Sequence, residues 1–124
     1  LGLAHEATTV LPLDTFVPAV GQGAIAVVIR AGDTKAAAAL ALICCRQTAT
    51  ALTAERAFLT VLDGSCRTPI AGLAEHRDGR VTFRGEVLAA DGRTAGAISR
   101  EGPADAAVQL GDEAARALLA AQAG

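Results

Sequence analysis

The 124-residue chain contains no methionine, tryptophan or tyrosine, and three phenylalanines supply all of its aromatic rings. Any core must therefore be assembled mainly from Ala, Leu and Val. Each of these side chains buries little area, so stability has to come from close backbone approach and helix content. Charge is sparse as well: 11 basic against 13 acidic residues leave a net charge of −2, spread along the chain. That balance offers no basic field for nucleic acid and no acidic tail. No apolar run approaches the roughly 18 residues of a membrane span, and no signal-peptide pattern occurs. The three cysteines have no framework spacing, which predicts reduced thiols in a cytoplasm-like compartment.

Other absences narrow the chemistry. His5 and His76 are the only imidazoles, and the adjacent Cys44 and Cys45 lack a spaced partner, so no metal site is expected. These two cysteines read instead as small hydrophobes near a core. No carboxylate pair and no Ser-His-Asp order can be picked out, and no catalytic residue is assigned. The lack of Met and the opening LGLAHEATTVLP predict a segment of a longer chain.

What is present has a clear order. LPLDTFVPAVG reads as an extended connector, and AIAVVI, residues 24–29, reads as a short strand covered on both faces. Few partners for such a strand exist here, so its sheet is expected elsewhere. Asp33-Thr34 offers a cap for a first helix over KAAAALALIC. A second helix is predicted from about Thr50 to Leu62, with Thr53, Arg56, Thr60 and Asp63 as its polar stripe and Gly64 as its terminator. Three strands follow, near 70–76, 80–89 and 93–100, separated by the turn dipeptides Asp78-Gly79 and Asp91-Gly92. Val81, Phe83 and Val87 alternate with Arg80, Thr82, Arg84 and Glu86, giving one wet face. Gly102-Pro103 is expected to open a last helix that buries Ala107, Leu110, Ala114 and Leu118. The fold class is therefore α+β: a small three-stranded antiparallel sheet with helices packed on one face.

Three features bear on function. VGQGAI, residues 20–25, lacks the third glycine of a dinucleotide fingerprint and precedes a strand, so it reads as a tight crossover. Gln22 at its centre could still offer an amide to a ligand. His76, beside Asp78-Gly79, reads as a solvated turn residue. Cys66, in VLDGSCRTPIAG, lies between a helix and a strand, where Gly64 frees the backbone and Arg67 supplies positive charge. Arginine favours the thiolate, while the negative end of the preceding helix opposes it, so the residues predict accessibility rather than a strongly lowered pKa.

Taken together, FVPAVGQGAIAV, TALTAERAFL and LDGSCRTPIAGLAE closely resemble the porphobilinogen deaminase family, in the family's order and across essentially the whole chain. The resemblance implies that Cys66 carries a dipyrromethane cofactor through a thioether. Gly64-Ser65 stands where the family often has Gly-Gly, and Arg67 where a neutral residue is common. It further implies an enzyme that condenses four porphobilinogen molecules into hydroxymethylbilane, releasing ammonia at each step. Residues 1–20 would end a second domain and form its hinge, 21–32 would return as a strand to the first domain, and 33–124 would form the C-terminal cofactor-attachment domain. Gln22 would then lie near the cleft as a tentative cofactor contact. The substrate-holding arginines and the catalytic aspartate would belong to missing N-terminal domains, so the segment alone is expected to be inactive. The implied partners are porphobilinogen, the growing pyrrole chain and those missing domains, in a cytoplasmic monomer that binds no nucleic acid and no membrane. The competing expectation is a non-catalytic ligand-binding or regulatory module on the same fold.

Overall fold

Asp33 caps the first helix as its position predicts: its carboxylate accepts the Ala36 N–H at 3.0 Å. In the computed structural model, which describes residues 2–62 and 69–123, this helix, α1, spans Thr34–Ala41. It ends before the cysteines and buries no residue. The second helix, α2, spans Arg46–Val61 and starts four residues earlier than the sequence predicts. The cause is local: the hydroxyls of Thr50 and Thr53 bond back to the Arg46 and Ala49 carbonyls at 2.9 and 2.8 Å. Threonines that would suit a helix start are thus absorbed into the helix interior.

The strands β1 (Ile70–Arg77), β2 (Arg80–Leu88) and β3 (Thr94–Pro103) form one antiparallel sheet in the order β1-β2-β3. Asp78 and Gly79 both take positive φ, 49° and 75°, between the paired residues Arg77 and Arg80. This is the two-residue turn whose twist matches the flanking strands. Asp91-Gly92 lies in a longer connection. Its Asp91 carboxylate accepts from the Arg93 backbone N–H at 3.1 Å and from Nε at 2.8 Å. The Arg93 side chain holds that exposed carboxyl below its ordinary pKa.

Gly102-Pro103 does not begin the last helix. Gly102 pairs with Val81 and Pro103 with Arg80, extending β3. β3 borders the sheet, where a proline lacking an N–H is tolerated at a strand end. A 3-10 turn, Ala104–Ala106, then leads into α3 (Ala107–Ala123).

The core lies between one sheet face and the two helices α2 and α3. Phe58 of α2 and Phe83 of β2 are fully buried, with ring centroids 4.8 Å apart and planes tilted by 55°. On α3 the buried set is Ala107, Leu110, Ala114 and Leu118, as its spacing predicts, together with Ala115. The small side chains permit close approach. A Cβ on Gly85 would stand 2.5 Å from the Phe58 ring, and one on Gly111 would overlap the Ala54 carbonyl. Thr53, Arg56 and Thr60 are exposed, as the polar stripe requires. Asp63 and Gly64 lie outside the described residues.

Residues 24–30 form neither helix nor strand and pair with no strand among the described residues. Ile25 and Val28 are 93% and 92% exposed, so the two-sided cover expected of AIAVVI is not supplied by this chain. Among the described residues, no single helix is long and apolar enough to cross a membrane.

Candidate functional site at the β1 edge

A sheet edge presents unpaired backbone donors that must be satisfied or covered. On β1 the edge donors include Gly72 and Ala74. The Gly72 N–H donates to the Pro18 carbonyl at 2.9 Å, and Ala19 forms an isolated antiparallel bridge with Ala71. The Ala74 N–H donates to Glu55 Oε1 at 2.9 Å. Glu55 Oε2 accepts the Gly21 N–H at 2.7 Å. One carboxylate from α2 therefore clips the crossover to the sheet, and its burial, 7% exposed, is matched by a charge-assisted bond at each oxygen.

Farther back, Arg84 of β2 donates to the Leu13 carbonyl at 2.8 Å and the Asp14 carbonyl at 3.3 Å. The wet face of β2 thus includes a tether for the connector. Neither Glu55 nor Arg84 was singled out by the sequence patterns. The signal for Glu55 was nonetheless present: it interrupts the stripe Ala51, Ala54, Phe58 and Leu62, where an apolar residue is expected.

Gln22 is placed by two linked turns. Its N–H donates to the Ala19 carbonyl at 3.1 Å, and the Ala19 N–H donates to Gln22 Oε1 at 3.2 Å. The side chain is exposed beside an open cleft of about 410 Å³, whose lining includes Glu55, Gln47, Thr48, His76 and Arg77. VGQGAI forms a tight turn, with Gly21 and Gly23 at positive φ and Gln22 at the mouth of the cleft, but the strand expected after it is not formed among the described residues. His76 departs from the solvated turn position predicted for it. It is half-buried on the helix-facing side of β1, and its Nδ1 has no hydrogen-bond partner among the described residues.

Cys66 falls within residues 63–68, outside the described residues, between α2 and β1 in sequence. Cys44 and Cys45, expected near a core, are exposed because the helix before them buries nothing. They precede α2, whose 16 residues place its two ends roughly 24 Å apart at the usual helical rise. Among the described residues, no group of three or more His, Cys, Asp or Glu side chains is arranged to hold a metal ion.

The sheet with α2 and α3 defines an α+β unit joined to an N-terminal arm, and comparison with known proteins assigns its family. Residues 49–120 match the family model described as porphobilinogen deaminase, C-terminal domain. Residues 1–38 match that described as porphobilinogen deaminase, dipyromethane cofactor binding domain. The chain belongs to the porphobilinogen deaminase family. It is 48% identical over 118 residues to a porphobilinogen deaminase of Paracoccus denitrificans, covering 95% of this chain and 38% of the relative. Porphobilinogen deaminases of Nitrobacter hamburgensis and Nitrobacter winogradskyi are 47% and 46% identical over the same share of this chain, each covered to 37%. The chain therefore spans somewhat less than two fifths of the length of these curated relatives.

Proposed function

We propose that this chain is the C-terminal part of a hydroxymethylbilane synthase, a transferase of tetrapyrrole and heme biosynthesis. The full-length protein would condense four porphobilinogen molecules into hydroxymethylbilane with release of ammonia, as a cytoplasmic monomer. The observation that carries this reading is the pair of family matches, which together account for most of the chain and name a dipyrromethane-binding domain. In this reading residues 1–20 end the second domain and its hinge, 21–32 return to the first domain, and 33–124 carry the cofactor attachment.

Cys66 supplies the sulfur for a thioether to dipyrromethane. When bound, that group supplies the pyrrole end onto which new units are joined. The donor set in this chain suits such a role. In sequence, Cys66 lies in the eight-residue connection between α2 and β1, and the described residues at its two ends are anchored. The Leu62 N–H donates to the Phe58 carbonyl at 3.2 Å, and the Pro69 carbonyl accepts the Leu88 N–H at 2.9 Å. A tether fastened at both ends to a packed domain keeps its anchor while the attached chain grows. Gln22, with Oε1 taken up by the turn, offers its amide N–H groups toward the cleft. Glu55 and Arg84 fix the crossover and the connector that carry Gln22. Segment 1–124 alone is expected not to turn over porphobilinogen, because no general acid for amine departure is assigned in it.

The test is a Cys66→Ser variant of the full-length protein. Its intact mass should lose the increment of one dipyrromethane, and consumption of porphobilinogen should fall to background. Normal turnover by this variant would refute the assignment.

A further inference from the structure

Glu55 joins more than a sheet edge needs. Its two oxygens take the Gly21 N–H at 2.7 Å and the Ala74 N–H at 2.9 Å, from segments on either side of α2 in sequence. Its own helix, α2, and the strand that holds Ala74, β1, are the two elements that bracket Cys66 in sequence. Gly21 immediately precedes Gln22. One carboxylate therefore ties the Gln22 turn to both elements that flank the Cys66 connection.

The turn is fastened on its other side as well. Gly72 of β1 donates to the Pro18 carbonyl, Ala19 bridges Ala71, and Gln22 Oε1 accepts the Ala19 N–H. Gln22 stands between these two fastenings, with its acceptor oxygen used inside the turn. A buried carboxylate is a costly cap for two amides, because its desolvation exceeds that of a neutral acceptor. What it adds is two equivalent acceptor oxygens at a fixed spacing. A glutamine has one, and would set its amide N–H groups against the second donor. The arrangement fixes a distance as well as satisfying an edge.

We propose that Glu55 is a positioning residue of hydroxymethylbilane synthesis: by clamping Gly21 to α2 and β1, it holds the Gln22 amide in a fixed relation to the pyrrole chain attached at Cys66. The inference rests on the reading above, in which Cys66 bears the cofactor and Gln22 contacts it. That acceptor chain is covalently held. Its misplacement therefore costs geometry of attack rather than binding of porphobilinogen, so kcat falls while KM stays.

The experiment uses the full-length protein carrying Glu55→Gln, Gln22→Ala or both, with intact mass, steady-state kinetics and denaturant unfolding for each. Glu55→Gln should keep the increment of one dipyrromethane, lower kcat by roughly tenfold or more and move KM by less than about twofold. The double variant should match the slower single variant to within about twofold, since both changes remove one interaction. Leu118→Ala, which opens the α3 side of the core, should unfold at lower denaturant yet keep its kcat. Gly72→Ala supplies a second route that leaves Glu55 intact. A Cβ there would stand 2.9 Å from Val20 Cγ2 and push the turn off β1, so kcat should fall in the same sense. Wild-type kcat in a folded Glu55→Gln, or in Gly72→Ala where Glu55→Gln does not fold, would overturn the proposal. So would losses that multiply in the double variant, or loss of the pyrrole increment with Glu55→Gln, which would make Glu55 a residue of cofactor assembly. An increment missing from the unmodified protein would instead overturn the reading of Cys66.

Discussion

Residues 46–121 and residues 2–45 obey different physics within one chain. In the first region α2, α3 and the three strands bury Phe58, Phe83, Val81 and a set of alanines in one core. In the second, Ile25, Val28, Leu42 and Ile43 are each at least three-quarters exposed, and α1 buries nothing. Composition does not separate the two, since both are rich in Ala, Leu and Val. Partners do. The C-terminal region carries its own opposing surfaces, whereas AIAVVI has the pattern of a buried strand with no ladder to join. The clips at Glu55 and Arg84 mark where one regime gives way to the other.

The contrast can be broken most severely from inside the core. Phe58→Ala should cost about 3–5 kcal/mol, because a ring fully enclosed against Phe83 leaves a cavity that small neighbours cannot fill. Denaturant unfolding followed by circular dichroism measures this, and a loss below about 1 kcal/mol would show that the packing does not govern stability. A smaller loss is expected at the boundary. Glu55→Ala orphans the Gly21 and Ala74 donors and should cost roughly 2–4 kcal/mol, with faster amide exchange at both residues. Exchange at Gly21 unchanged from wild type would contradict the clip. The smallest effect belongs to the exposed arm. Ile25→Lys should shift the stability of segment 1–124 by less than about 0.5 kcal/mol. In the full-length protein the same change should cost about 2 kcal/mol or more, since a charge would enter a sheet. Equal effects in both settings would remove the reason for the contrast.

The C-terminal region was largely legible in the sequence because its signals are local. Asp78-Gly79 reads as a tight turn and the spacing of Leu110, Ala114 and Leu118 as a buried helix face; in the arm, Asp33 reads as a cap for the same reason. Errors arose where tertiary context prevails. Thr50 and Thr53 look like a helix start but bond back into α2, and Gly102-Pro103 looks like a helix opening but ends β3. His76 looks solvated until β1 turns it toward the helices. The Glu55 clip is the hardest to foresee. A carboxylate that satisfies two backbone donors, 34 and 19 residues away in sequence, leaves only a polar interruption in an apolar stripe as its trace. The thiol readings divide the same way: the family motif singles out Cys66, whereas exposure of Cys44 and Cys45 depends on a helix that packs against nothing.

The most direct measurement is peptide mapping of the full-length protein with its pyrrole adduct in place. We expect the mass increment on the sulfur of Cys66, with Cys44 and Cys45 recovered as free thiols. An increment on either of those two, or none on any cysteine of a protein that makes hydroxymethylbilane, would contradict the assignment.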